Sequence, residues 1–335
     1  MHTWLSPVSL IALLSLPLCA CSGSAEPPTA HRTAAPSKAA PAAPSRSMAA
    51  ARSIDLDRDA ASLTPQAAPS TDYFVWTREG EERTITYRLD ATGRPVEILD
   101  GIVIATATGT WQWQLEDRSV PTVPCEFYDE EGHAFAGDPA EPGTATRASL
   151  RHIASGAEQV VVEPGIDLMG SPDVKHDVGV IASIGPYLFV EESTYTFACG
   201  AHGNTGVSTL IWDASSGTTV AAPMDIGPLE APRGAAVEGL TDDDDDVFAP
   251  SEDDLELTEI VPRFARDGSL EVGLQFTAPT CYACTRGGWS SYTKSTVVDA
   301  VSTPALLAPY ASPPAAIRAF LREHPEVGMN GWSAR

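Results

Sequence analysis

At 335 residues the chain holds at most two ordinary domains, and 43% apolar with 20% charged residues argues against disorder or collagen-like repeats over most of its length. Lys and Arg number 21 against 45 Asp and Glu, a formal charge of −24, which argues against nucleic acid or anionic lipid headgroups as the main partner. Residues 1–70 carry five basic and four acidic residues, so 71–335 carries 16 basic and 41 acidic ones and with them all of the acidity.

In chain order, residues 1–20 read as a secretory signal peptide. Leu10, Ile11, Leu13, Leu14, Leu16 and Leu18 lie in an apolar run of about 15 residues, too short for a stable membrane span. The run closes on Leu18-Cys19-Ala20-Cys21, which resembles the bacterial lipobox, and this resemblance implies acylation of Cys21 as the mature N-terminus. A plain signal peptide cut near Ala25 is the alternative, since Met1 to Pro7 holds no Lys or Arg. Ser22 after the anchor, where Asp would stand otherwise, resembles outer-membrane sorting, so the protein is expected on the outer membrane, facing the periplasm or the surface.

Residues 21–70 read as a disordered tether. Beyond Cys21 they contain 15 Ala, 7 Pro and 8 Ser and no Phe, Tyr or Trp, too little apolar surface to offset the entropy of ordering. As flexible coil the tether spans roughly 40 Å.

From about Tyr73, β-branched and aromatic runs alternate with turn residues, the pattern of a mainly β body with antiparallel, sandwich-like sheets; α+β is the alternative class. Strands are expected at Thr84–Leu89, Ile102–Ala107, Thr110–Leu115, Gln159–Glu163, Val178–Ile184, Tyr187–Phe197, Val207–Asp213, Leu257–Phe264, Leu270–Phe276 and Tyr292–Val298. Asp90 to Gly93, Asp129 to Gly132, Ser215 to Gly217 and Asp267-Gly268 mark turns. The body divides into 71–185, 186–310 and a C-terminal helix and tail at 311–335. In that helix Ser312 is the expected N-cap, Ile317, Phe320 and Leu321 share a face, and Pro325 is the stop.

Candidate chemistry is sparse. Cys125, Cys199, Cys281 and Cys284 suit disulfides in an exported protein. Three pairings are allowed; a local Cys281–Cys284 bridge, leaving Cys125 to Cys199, is preferred. A zinc site with Cys125, Cys199 or His202, and redox chemistry at Cys281-Tyr282-Ala283-Cys284, are alternatives. Trp111 and Trp113 alternate along one strand and read as core, or as a platform for sugar rings. The stretch Thr241–Glu259 reads as a solvated loop. Its run Asp242, Asp243, Asp244, Asp245 and Asp246 offers hard oxygens for calcium, the one cofactor suggested, although the EF-hand spacing is absent. No hydrolase elbow, zincin, P-loop or dinucleotide-binding motif occurs, and His133, His152, His176 and His324 are isolated.

The string Thr194-Tyr195-Thr196-Phe197-Ala198-Cys199-Gly200-Ala201-His202-Gly203-Asn204-Thr205, followed by Leu210-Ile211-Trp212-Asp213 and Ser216-Gly217, resembles the extracytoplasmic domain of RsiV-type anti-sigma factors. Asp267 to Phe276 and Thr296 to Val301 resemble that family's closing strands, so the resemblance spans about Pro186–Tyr310. Cys199 replaces the family's first Gly, and the Cys281 to Gly288 segment replaces a Tyr/Pro/Gly-rich loop. The resemblance implies a receptor-like domain, a relative of which binds lysozyme. His202 and Asn204 are then the binding candidates, beside their structural role in a tight turn.

Together these features point to a lipid-anchored, non-enzymatic envelope module held to the membrane by its anchor and recognising a cationic, lysozyme-like protein or a cell-wall component. An envelope hydrolase or carbohydrate-active enzyme, and a calcium-stabilised structural lipoprotein, are the alternatives.

Overall fold

The computed structural model describes residues 72–80, 83–128, 134–136, 141–165, 171–197, 199, 202–220, 226–241, 250–281 and 290–335. All belong to one compact unit, Thr64–Arg335. The expected signal peptide, Cys21, the tether, the Asp129 to Gly132 turn, Asp242 to Asp246 and Cys284 lie outside the described residues.

The protein is mainly β. Its first half contains β1 (Tyr73–Glu79), β2 (Arg83–Leu89), β3 (Pro95–Asp100), β4 (Val103–Thr106), β5 (Gly109–Val120), β6 (Glu126–Tyr128), β7 (Ala134–Ala136), β8 (Gly143–His152) and β9 (Glu158–Val162). Then come β10 (Asp173–Ile184), β11 (Tyr187–Phe197), β12 (Asn204–Asp213), β13 (Thr218–Thr219), helix α1 (Glu230–Leu240), β14 (Glu256–Phe264), β15 (Leu270–Pro279), β16 (Thr293–Asp299), helix α2 (Ala315–Glu323) and β17 (Met329–Ala334).

A 12-stranded sheet runs β13-β12-β11-β10-β17-β1-β2-β3, and a branch leaves β10 through β8 to β5, β4 and β9. Pairing is antiparallel except on one side of β10, so the sheet is mixed. There, Lys175 and His176 pair in parallel with β8, while Ser183 and Ile184 pair in parallel with β17. Splitting one strand edge between two partners lets the branch fold back over the main path. The enclosed core holds Trp76, Ile104, Trp111, Leu150, Val178, Val180, Leu188, Val190 and Trp212. The free edge of β4 is closed by buried hydroxyls: the Val103 N–H donates to Thr86 Oγ1 at 3.0 Å and the Ala105 N–H to Ser333 Oγ at 2.8 Å. Without them two buried amides would lack acceptors.

A second sheet, β14-β15-β16, packs with α1 against the main sheet around Phe189, Ile184, Leu274, Phe276 and Leu307. On the other flank α2 buries Ala316, Ile317, Phe320 and Leu321 against Val75, Leu89 and Trp332. Each large side chain buried there contributes about 1.5–3 kcal/mol.

Each expected strand is present, several of them longer than their apolar runs. Two expectations are corrected and one element is added. The N-cap residue of α2 is Pro314, not Ser312, because Pro314 holds an extended ψ of 155° and the helix begins at Ala315. The tail after Pro325 carries a strand that was not expected: β17 sits between β10 and β1. The stretch Thr241–Glu259 is not solvated loop throughout. Glu252–Asp254 form a 3-10 turn in which Ser251 Oγ and N donate to Asp254 Oδ2 at 2.7 and 2.9 Å, and β14 starts at Glu256.

Candidate functional site

The segments carrying Cys125, Cys199, His202 and Cys281 meet at one end of β11 and β12. The turn between these strands contains Cys199, whose disulfide to Cys125 spans 74 residues with the Cα atoms 5.4 Å apart. Cys281 is also disulfide-bonded. A two-way bridge fastens the segment before β16 to the start of β12: the Ser291 N–H donates to the Thr205 carbonyl at 2.8 Å, and the Thr205 N–H donates to Ser291 Oγ at 2.9 Å. The Thr280 N–H donates to the Tyr292 carbonyl at 2.7 Å, which closes that loop at the mouth of the β15–β16 hairpin.

His202 lies inside this junction. Its Nδ1–H donates to the Gly203 carbonyl at 3.2 Å, which leaves Nε2 as acceptor for the Tyr292 hydroxyl at 3.4 Å. The two rings meet edge-on with centroids 6.0 Å apart. The Tyr195 ring lies across Gly203, where a side chain on the glycine would overlap it. Tyr195 and Tyr292 nonetheless stay 37% and 46% exposed. Cys199 and Tyr292, at φ 57° and 70°, are the two non-glycine residues with positive φ among the described residues; Tyr292 lies against His202, and Cys199 precedes it by three residues in the same turn. A backbone held in this region costs on the order of 1 kcal/mol or more and persists where the surroundings over-determine it, here a disulfide on one side and the Thr205 bridge on the other. Asn204, the second binding candidate, is exposed at the first position of β12, paired in register with Thr196.

The tryptophans are elsewhere. Trp111 is 7% exposed inside the core, its ring edge-on to His152 at 4.9 Å, and Trp113 packs partly buried against the same cluster. The strand face they share turns inward, in line with the core reading, and leaves the alternative of a sugar platform no open surface at Trp111.

Two polar arrangements escaped the sequence reading. His176 is 4% exposed, with Nε2 3.3 Å from Glu192 and Nδ1 without a hydrogen-bond partner. Glu259 on β14 is 6% exposed and its Oε1 has no hydrogen-bond partner. Burial, and after it the charge of Glu191, push the Glu259 carboxyl up to about 7. That range suits a general acid. A carboxyl this deeply buried is nevertheless out of reach of a glycan strand, which separates it from the carboxylate pair a hydrolase would need.

The best-paired charges form a surface cluster on β5, β8 and β9. Arg147 binds both Glu158 oxygens at 2.7 and 3.1 Å and Glu163 at 2.9 Å, and Arg118 binds Glu116 at 3.2 Å. Among the described residues no group of three or more His, Cys, Asp or Glu is placed to hold a metal ion.

No protein-family model matches the chain, and no curated protein matches it.

Proposed function

We propose that the chain is an exported envelope protein, lipid-anchored through Cys21, whose β body is a non-enzymatic binding module, and that the Cys199–His202–Tyr292 junction is its recognition surface. The observation that carries this reading is the junction's construction. Two strained residues and a disulfide hold two exposed tyrosines around a histidine, at a place where no core needs them. Rigid aromatic rings with polar tips bind at small entropic cost, and loops fixed on a sheet scaffold are where recognition concentrates. The partner class follows from charge: 41 acidic against 16 basic residues in 71–335 favour a basic protein of the envelope over an anionic polymer.

Calorimetry of the full chain in detergent micelles, titrated with a small basic lysozyme, tests the reading. Saturable binding is expected that weakens as salt rises from ~50 to ~300 mM, because the attraction is screened. Tyr292→Gly removes the ring, suits the positive φ, and is expected to weaken binding roughly tenfold, the scale of one interface hot spot. Absence of binding at low salt removes the cationic partner; full affinity in Tyr292→Gly removes this junction as the surface.

A further inference from the structure

The contact between the two sheets contains a pair of acids that the recognition surface does not use. Glu191 is on β11 of the main sheet and Glu259 on β14 of the small one. Glu191 stands directly opposite Thr209 of β12 in the strand register. The Thr209 hydroxyl reaches the carbonyl of Thr258, the residue before Glu259, at 3.5 Å. Two carboxylates, one hydroxyl and one main-chain carbonyl therefore gather where β11, β12 and β14 meet.

Neither the Glu191 nor the Glu259 carboxyl is paired with a described side chain, and Glu259 Oε1 is fully shielded from water with nothing to accept from. A buried carboxylate in that condition is costly, and a second carboxylate beside it raises the cost. The residues opposite the two acids in the strand register, Thr209 and Gln275, are neutral, and among the described residues no cation offsets the effect of Glu191 on the Glu259 carboxyl. A small, hard cation would: carboxylate, hydroxyl and carbonyl oxygens are the ligands calcium takes, with water completing a shell of six to eight. Six per cent exposure of Glu259 admits an ion and excludes a lysine or arginine side chain of a partner.

We propose that Glu191, Glu259, Thr209 and the Thr258 carbonyl form a binding site for a divalent cation of the calcium type, which ties the β14–β16 sheet to the main sheet. The site is separate from the His202 junction and from the Asp242 to Asp246 run. The full chain, stripped with chelator, is titrated with calcium and then with magnesium while its melting temperature and heat of binding are followed. One saturable calcium site that raises the melting temperature is expected at or below ~1 mM, with magnesium weaker because it demands tighter geometry. Glu259→Gln, a neutral isostere, is expected to abolish the response, and Glu191→Gln, whose side chain is only half-buried and therefore tolerant, to weaken it roughly tenfold or more. Replacing Asp242 to Asp246 with Asn is expected to leave it intact. No response of the wild-type chain to calcium overturns the site, and so does an undiminished response in Glu259→Gln or Glu191→Gln. A response lost with the Asp242 to Asp246 replacement overturns it in favour of the acidic run. All of these readouts are independent of the lysozyme titration, so the two proposals fail separately.

Discussion

Replacing both Cys125 and Cys199 with Ser probes the staple on which the proposed recognition surface depends. The bridge closes a loop across 74 residues. In the chain-entropy account such a cross-link removes about 4 kcal/mol of conformational freedom from the unfolded chain, and that stabilisation is lost on its removal. For a body of this length the loss corresponds to a fall in melting temperature of roughly 10 °C. Urea unfolding followed by the fluorescence of the buried Trp76, Trp212 and Trp332 measures it directly. The midpoint should fall while the slope rises, since an unfolded chain freed of its cross-link exposes more surface. The native state should change only locally. The turn carrying Cys199 loses its fixed point, so amide exchange should accelerate at Gly203 to Thr205 and not in β10 or β17. A serine double variant within ~1 kcal/mol of the wild type would refute the reasoning. It would mean either that the unfolded chain is already compact between these positions or that the bridge does not form.

Phe320→Ala should cost about 3–5 kcal/mol, because the ring is wholly buried 5.1 Å from Tyr87 and α2 has no other aromatic anchor against the sheet; the same urea titration measures it. Glu158 should titrate near 2 in a carbon-detected NMR experiment, since its hydrogen bonds with Arg147 hold the carboxyl well below its ordinary 4.5. A carboxylate whose folded value is depressed stabilises the fold above the unfolded value and loses that contribution as pH falls through the folded one, so the cluster should stay intact at pH 4 and come apart near pH 2. In Arg147→Gln the midpoint should return toward 4.5, and a wild-type midpoint already there would show that the pairs do not persist in solution.

The strands that were legible in the sequence are those in which β-branched and aromatic residues crowd together, such as Tyr187–Phe197, whose bounds coincide with β11. Those that were not legible have physical reasons for looking unlike strands. β8 reads Gly-Thr-Ala-Thr-Arg-Ala-Ser-Leu-Arg-His, and its small residues reflect close packing: a side chain on Gly143 would come within 2.7 Å of the Val174 carbonyl. β17 contains Asn330-Gly331, a turn signal in sequence, yet the glycine is there because a side chain would collide with Trp76 and Ser183. α1 contains Pro232, Gly234 and Gly239, poor helix formers, and stands on the burial of Pro232, Ala236 and Leu240 at four-residue spacing. Propensity failed where tertiary contact decided the conformation.

The candidate site divides along the same line. His202 and Cys199 were legible because the turn that holds them is local and its Gly and Asn residues announce it. Tyr292 was not, since its partner lies 90 residues away and its strained backbone has no sequence signature. Glu259 was masked more thoroughly, by the acids that precede it. In an unbroken strand the alternation Leu257, Glu259, Val261 would set it among apolar neighbours, but a register shift between Leu257 and Glu259 re-aims the chain at that point. Bulges that redirect one side chain are characteristic of sites under functional constraint, and this one turns a carboxylate into the interface between two sheets, where the fold alone has no use for its charge. A carboxyl held there against its own desolvation is neutralised either by a proton, which its raised value of about 7 favours at lower pH, or by a cation. The cation proposed at this contact, drawn by the acidic body, is a neutraliser that needs no protonation of the carboxyl.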